Sequence, residues 1–139
     1  MSWDHYTTDQ MQGPYIGNCA TIIGWDEEVV FSSTGVEVMT QEQAGVIVKR
    51  MKAKNIDEFK QEHFPYGNYQ FEVGNWNFDA NDTFMEGVGN DDCPLRGFHA
   101  IKTNKLLLVT VWDKRYDMTR DRNYEAIREM ANYFIKEGW

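Results

Sequence analysis

Residues 97–113, GFHAIKTNKLLLVTVWD, constrain the fold of this chain more than any other stretch. Two apolar runs, GFHAIKT and KLLLVTVWD, flank a turn at Thr103 and Asn104, which predicts a β-hairpin. Residues 19–33 have the same pattern, which predicts two short strands, CATIIGW and EEVVFSS, around a turn at Asp26. Strands joined by such short turns run antiparallel, so the sequence favours a mostly antiparallel sheet.

Helices alternate with these strands along the chain. Thr40 and Gln43 match a capping box, and an apolar face follows at helical spacing: Ala44, Ile47, Val48 and Met51. The final segment predicts a longer helix that stops at Gly138, with one apolar stripe: Ile127, Met130, Ala131, Phe134 and Ile135. Shorter helices are predicted at NIDEFKQEHF and from Trp3, with Ser2 as the cap and Gly13 and Pro14 as the stop.

The middle of the chain adds further strands. Tyr69, Phe71 and Val73 alternate with polar residues, as in a half-buried strand that NWNF could continue. TFMEGV predicts another short strand. The order is therefore helix, strands, helix, strands, helix, which indicates an α+β fold whose helices cover a central antiparallel sheet.

Composition narrows the possible partners. The chain has 139 residues, which suits one domain spanning residues 1–139. Its net charge of -8 disfavours binding to nucleic acid or to an anionic membrane surface through a basic face. No apolar run is long enough to span a bilayer, and no signal peptide is recognisable. Cys19 and Cys93 are expected to be reduced thiols. Asn81 begins a glycosylation motif that is expected to be unused. The protein is expected to be cytoplasmic.

Aromatic residues are concentrated at both ends of the chain. Trp3 and Tyr6 lie three residues apart, on one face of the predicted first helix. Tyr133 lies about 100° from Phe134 around the last helix, and Trp139 follows the stop of that helix. These side chains could be ordinary core residues. Alternatively, the terminal helices lie side by side and their surplus aromatics form an exposed groove for proline-rich peptides, since polyproline II segments lose little entropy on docking.

Four segments of the sequence resemble the profilin family. MSWDHY is similar to the usual opening of profilins, and CATIIGWDEEVVFSSTGVEV resembles their first two strands and the run into the second helix. HAIKTNKLLLVTVWD resembles the late hairpin, and EMANYFIKEGW the closing helix. The segments occur in the family's order and reach both ends, whereas residues 53–95 match weakly.

The resemblance implies a fold and a function. The N- and C-terminal helices are expected to pack on one face of the sheet and the remaining helices on the other. The protein is expected to bind monomeric actin on one face and proline-rich segments of formin-like assembly factors on another, and so to regulate actin polymerisation in the cytoplasm. No enzymatic activity and no cofactor are implied.

The resemblance also assigns the proline-binding residues. They are Trp3, Tyr6, Tyr133, Phe134 and Trp139. Many profilins have a tryptophan in the second strand, where the aligned residue here is Val30. Adjacent strand residues point to opposite faces, so Phe31 is not an automatic replacement, and we expect an altered groove.

The corresponding actin-binding positions lie around the start of the last helix. They are Met118, Thr119, Asp121, Tyr124, Glu125 and Glu129. Basic residues that the family often uses nearby are missing from FMEGVGNDDCPL, which should weaken association with acidic actin and argues against phosphoinositide binding. Other basic residues could compensate: Arg96, Lys102, Arg120, Arg122 and Arg128.

Other kinds of chemistry find less support. His5, His63 and His99 do not form a metal-binding spacing with the cysteines. A small enzyme using Cys19 or Cys93 with a histidine remains an alternative, as does a profilin-fold module that has lost actin or polyproline binding. A third alternative is a generic sensor or trafficking domain with similar layers, since a fold does not fix a function. DANDTFMEGVGNDD is acidic but lacks the glycine and the final carboxylate of an EF-hand loop, so it predicts an acidic loop.

Overall fold

The computed structural model describes residues 3–10, 19–79, 82–89, 96–116 and 119–139. These residues form one seven-stranded sheet in the order β2-β1-β7-β6-β5-β4-β3, and every neighbouring pair is antiparallel. The strands are β1 (Cys19–Gly24), β2 (Val29–Gly35), β3 (Phe64–Tyr66), β4 (Tyr69–Asn77), β5 (Phe84–Gly89), β6 (Arg96–Lys102) and β7 (Leu106–Asp113). The predicted antiparallel sheet and both predicted hairpins are therefore confirmed.

Three α-helices and two shorter helical segments accompany the sheet. The helices are α1 (Gln41–Lys52), α2 (Ile56–Glu62) and α3 (Arg120–Lys136). A 3₁₀ turn at Lys114–Tyr116 precedes α3, and a single wide helical turn at Tyr6–Gln10 lies near the N-terminus. The proposed cap at Ser2 and stop at Gly13 and Pro14 lie outside the described residues.

The capping box predicts the start of α1 correctly. The Gln43 backbone N–H donates to Thr40 Oγ1 at 3.1 Å, and the Thr40 N–H donates to Gln43 Oε1 at 3.1 Å. Because two otherwise unpaired backbone donors are satisfied, the helix begins at a defined residue. The four predicted apolar residues of α1 are buried: Ala44, Ile47, Val48 and Met51.

The predicted apolar stripe of α3 needs one correction. Ile127, Ala131 and Phe134 are buried as expected, but Ile135 is exposed and Asn123 is buried in its place. Ile135 lies about 80° from Ile127 around the helix axis, so it turns away from the buried side of the helix. Buried Asn123 forms hydrogen bonds with His99 and Thr110 of the sheet.

The helices are divided between the two faces of the sheet, as the resemblance implied. On one face, α1 and α2 cover the larger apolar cluster, which includes Phe59, Phe64 and Phe98. On the other face, α3 and the N-terminal turn cover a second cluster around Ile22 and Leu108. Within the described ranges, no helix is both long enough and apolar enough to cross a membrane.

Candidate functional site

The two ends of the chain meet in a group of aromatic side chains, here called the aromatic groove. Its members are Trp3, Tyr6, Phe31, Tyr133, Phe134 and Trp139. The Trp3 ring lies at the centre: its centroid is 4.9 Å from Trp139 in an edge-on arrangement and 5.9 Å from Phe134. All five sequence-predicted proline-site residues therefore lie together.

The end of α3 turns back to place Trp139 against Trp3. Gly138 adopts φ +94°, a conformation that favours glycine, and the Trp139 N–H donates to the Phe134 carbonyl at 2.7 Å. The Trp139 carbonyl accepts from Thr103 Oγ1 at 2.8 Å and from the Lys105 N–H. The turn between β6 and β7 thus holds Trp139, which follows α3, in position.

Tyr6 and Tyr133 form the more open part of the groove. Their ring centroids are 6.2 Å apart, and the hydrogen bond that the Tyr133 hydroxyl makes to Tyr6 raises the pKa of Tyr133. Tyr133 is 44% exposed, whereas Phe134 beside it is 1% exposed and belongs to the core. The groove therefore combines a buried aromatic floor with accessible rings that carry polar tips, which suits a peptide with flat apolar surfaces and carbonyl acceptors.

Phe31, and not Val30, faces the groove from the second strand. Ile22 pairs with Ser32 while Ile23 pairs with Val30, so a β-bulge leaves Phe31 as the extra residue. The Phe31 ring stacks on Trp3 at 5.3 Å with 20° between the planes. Val30 packs on the opposite face of the sheet. Phe31, and not the aligned Val30, therefore places an aromatic ring beside Trp3.

The predicted actin-binding residues form an exposed surface on the first half of α3. Thr119 caps the helix, accepting from the Arg122 N–H at 3.3 Å. Three carboxylates follow at intervals of four on one exposed side of the helix: Asp121, Glu125 and Glu129. Tyr124 is half-buried, with its ring 5.7 Å from Phe84. Met118 lies outside the described residues.

The sheet carries further exposed residues near the start of α3. Glu72 of β4 and Val88 of β5 are paired in register, and both are exposed. Val88 shares a face of its strand with Glu86, whose carboxylate pairs with Arg120 of α3. We call Asp121, Tyr124, Glu125, Glu129, Glu72 and Val88 together the acidic face. Glu72 and Val88 are not among the residues predicted from the sequence, although the alternation of side chains in β4 and β5 indicates which residues share a face.

Several of the basic residues expected to compensate are engaged by carboxylates. Arg120 pairs with Glu86, Arg128 lies 3.6 Å from Asp82, and Arg96 lies 3.4 Å from buried Asp113. Lys102 lies at the other end of β6, with its Nζ 5.2 Å from the Trp25 ring. Arg120, Arg128 and Arg96 are thus each offset by a nearby carboxylate.

A buried polar network joins α3 to the sheet beneath the acidic face. The Asn123 amide donates to His99 Nδ1 at 2.7 Å and to Thr110 Oγ1 at 2.9 Å. His99 Nε2 lies 3.1 Å from Glu86 Oε2, so the neutral Nε2–H form satisfies both neighbours. Burial lowers the pKa of His99 to about 4, although the Glu86 carboxylate opposes this. Sequence reasoning missed this network because its members are distant in the chain.

The cysteine and metal alternatives gain no support from the described residues. Cys19 is buried, and desolvation raises the pKa of its thiol to about 11, so it is a poor nucleophile at neutral pH. Cys93 lies outside the described residues, as do residues 80–81 and 90–92 of the acidic segment. Residues 84–89 of that segment form β5, so the prediction of an acidic loop is wrong for these residues. In the described part of the chain, no group of three or more His, Cys, Asp or Glu side chains could hold a metal ion.

Comparison with known proteins identifies the family and the fold. The family model described as Profilin matches residues 1–139. No curated protein sequence is significantly similar to the chain. Among solved structures, Acanthamoeba castellanii profilin IB superposes with a TM-score of 0.82 at 18% identity, covering 99% of this chain and 100% of that one.

Two further structures show how far the fold likeness extends. Mouse profilin IIa, solved in complex with a double repeat from the FH1 domain of mDia1, has a TM-score of 0.74 at 15% identity, with 100% of each chain covered. Myxococcus xanthus MglB has a TM-score of 0.57 at 12% identity, covering 95% of this chain and 91% of that one. The profilin fold is therefore established, and the match of the Profilin model over residues 1–139 shows that the chain belongs to the profilin family.

Proposed function

We propose that this protein is a non-enzymatic, cytoplasmic adaptor that binds monomeric actin on the acidic face and proline-rich segments of actin-assembly factors in the aromatic groove. The observation that carries the proposal is the convergence of Trp3, Tyr6, Tyr133 and Trp139 from opposite ends of the chain. Membership of the profilin family and the FH1 complex of mouse profilin IIa support the same ligand class.

The chemistry of the groove suits a proline-rich peptide. Proline rings are flat apolar surfaces, and proline has no backbone N–H, so such a peptide offers carbonyl acceptors only. Tyrosine and tryptophan present both an apolar face and a hydrogen-bond donor. Because a polyproline II segment is already extended, little conformational entropy is lost when it docks.

A matched pair of substitutions on α3 tests the groove. Tyr133 is 44% exposed and Ile135 is 43% exposed, two residues apart on the same helix. Tyr133→Ser should weaken binding of a proline decamer by about tenfold, as expected for loss of an aromatic anchor, while Ile135→Ser should leave it unchanged. Binding is read from tryptophan fluorescence and calorimetry. Unchanged emission of the unmodified protein at millimolar peptide would contradict the groove.

The acidic face is the proposed contact surface for actin. It lies on the first half of α3 and on β4 and β5, whereas the aromatic groove lies at the other end of α3. The two ligands therefore need not compete for the same residues. A surface that bears mainly carboxylates should associate with acidic actin more slowly than a basic one, and the association should gain speed as salt screens the repulsion.

Inhibition of spontaneous actin polymerisation tests this surface. The protein should lengthen the lag phase, and Glu125→Arg should alter the strength of inhibition, whereas Lys136→Glu, on the exposed final turn of α3, should not. If a large molar excess of the protein leaves polymerisation unaffected, the actin half of the proposal is wrong.

The second candidate is a profilin that retains polyproline binding but has lost actin. The pairing of Arg120 with Glu86 and of Arg128 with Asp82 favours it, because these residues would otherwise supply positive charge near the proposed actin surface. Peptide binding without any effect on actin assembly would select this second candidate.

A further inference from the structure

The N-terminal turn that carries Trp3 and Tyr6 is short and needs an anchor. Its helical part, Tyr6–Gln10, has five residues, far fewer than an isolated helix needs to be stable in water. The backbone N–H groups of Tyr6 and Thr7 both reach the Trp3 carbonyl, at 3.1 and 3.4 Å. These bonds shape the turn but do not attach it to the sheet.

A hydrogen-bonded trio attaches this turn to β2. Ser32 Oγ donates to Asp4 Oδ1 at 2.6 Å, and Thr7 Oγ1 lies 2.7 Å from Ser32 Oγ. Thr7 Oγ1 also lies 3.2 Å from the Asp4 carbonyl. The two hydroxyls have one proton each, so the shortest contacts define a chain in which Thr7 donates to Ser32 and Ser32 donates to the Asp4 carboxylate.

The surroundings strengthen this chain. Thr7 is fully buried and Ser32 is almost so, so water competes weakly for their hydrogen bonds. The terminal acceptor is a carboxylate, which shortens and strengthens the bond from Ser32. Asp4 lies at the start of the N-terminal turn, where a negative charge is also favoured by the backbone N–H groups.

The β-bulge lets Phe31 and Ser32 face the same side of the sheet. In a regular strand, successive side chains point to opposite faces, so Phe31 and Ser32 could not both reach the terminal-helix face. The shift between the Ile22–Ser32 and Ile23–Val30 pairs inserts Phe31 as an extra residue. As a result Phe31 stacks on Trp3 at 5.3 Å, while Ser32 holds the turn that carries Trp3.

We infer that Ser32, with Thr7 and Asp4, is a positioning residue of the peptide site: it holds Trp3 and Tyr6 against Phe31 in the arrangement that receives a proline-rich ligand. This inference rests on the proposed polyproline function for its ligand. The ordering of residues 3–10 by the trio does not depend on any ligand. Ser32 acts through Trp3 and Tyr6 and does not itself touch the peptide.

Neighbouring serines provide a matched comparison. The Ser33 hydroxyl lies 2.7 Å from Thr21 Oγ1 and accepts from the Met39 N–H at 2.9 Å, away from the groove. Ser32→Ala should weaken proline-decamer binding by about threefold to tenfold, the usual effect of one lost hydrogen bond. Ser33→Ala should lower the melting temperature but leave peptide affinity unchanged.

Thr7 offers a test by rescue. Thr7→Val keeps the shape and removes the hydroxyl, so it should weaken peptide binding, whereas Thr7→Ser keeps the hydroxyl and should bind more tightly than Thr7→Val. The peptide affinity of the double variant, Thr7→Val with Ser32→Ala, should lie within about twofold of that of Ser32→Ala alone. Both changes break the same chain of hydrogen bonds. Equal affinity of Ser32→Ala and unmodified protein, or equal weakening by Ser33→Ala, would overturn the inference.

Hydrogen exchange separates this inference from the proposed function. In the absence of peptide, Ser32→Ala should speed amide exchange in residues 6–10 relative to Ser33→Ala. If the unmodified protein binds no proline peptide but this exchange difference is seen, the proposed ligand is wrong and the anchoring role stands. If the peptide binds and exchange is the same in both variants, the anchoring role is wrong.

Discussion

The buried histidine makes the stability of this protein depend on pH in a predictable window. His99 is fully buried, and desolvation lowers its pKa from 6.5 to about 4. Its Nδ1 accepts from Asn123 at 2.7 Å, and protonation of that nitrogen would remove the acceptor. The charged groups that act on it are Glu86 and Asp121, whose charges favour the protonated ring, and Arg120, whose charge opposes it.

The direction of the effect follows from proton binding. Below pH 6.5 the unfolded chain protonates His99, but the folded protein resists protonation until about pH 4. The free energy of unfolding therefore falls as the pH falls through this window and is constant with respect to His99 above it. A tenfold change in proton affinity corresponds to about 1.4 kcal/mol. The free energy of unfolding therefore falls by about 3 kcal/mol in total, and about 2 kcal/mol of this is lost between pH 7 and pH 5.

Urea denaturation at pH 7 and pH 5 measures this loss. His99→Gln should be less stable than the unmodified protein at pH 7, because it disturbs the network, but should lose much less stability between the two pH values. His5→Gln is the matched control, since His5 is exposed, and it should keep the dependence of the unmodified protein. A flat free energy between pH 7 and pH 5, or an undiminished loss in His99→Gln, would refute this reasoning.

Three further substitutions test single features of the fold and groove. Thr40→Ala removes the capping hydroxyl of α1 and should cost about 1 kcal/mol in urea unfolding; an unchanged midpoint would contradict this. Gly97→Ala places a Cβ 2.4 Å from the Trp112 ring and should cost about 1–3 kcal/mol, so a melting temperature equal to that of the unmodified protein would be unexpected. Phe31→Ala should weaken proline-decamer binding by about tenfold, whereas Val30→Ala should not, and the opposite order would show that Val30 lines the site.

Local sequence signals predicted the elements well. The capping box at Thr40, the alternation around Phe71 and the turn at Thr103 each depend on residues close together in the chain. Such signals report backbone geometry directly. The division of the helices between the two faces came from the family resemblance, and the observed clusters agree with it.

Features that depend on distant partners could not be predicted in the same way. A bulge adds one residue without any reliable local signature, so the face occupied by Phe31 was not evident from the alternation of β2. His99 was recognised only as an isolated histidine, because its partners Glu86 and Asn123 come from other elements. Asn123 would be read as a solvent-facing residue from its type alone.

The adaptor proposal is tested most directly by asking whether the protein bridges its two ligands. A fluorescein-labelled proline-rich peptide, actin kept monomeric, and the protein are mixed and followed by sedimentation velocity at the fluorescein absorbance. Our account predicts that the label sediments with actin only when the protein is present, and that Tyr133→Ser reduces this fraction while Ile135→Ser does not. Label that never sediments with actin, at protein concentrations that saturate either ligand alone, would contradict it.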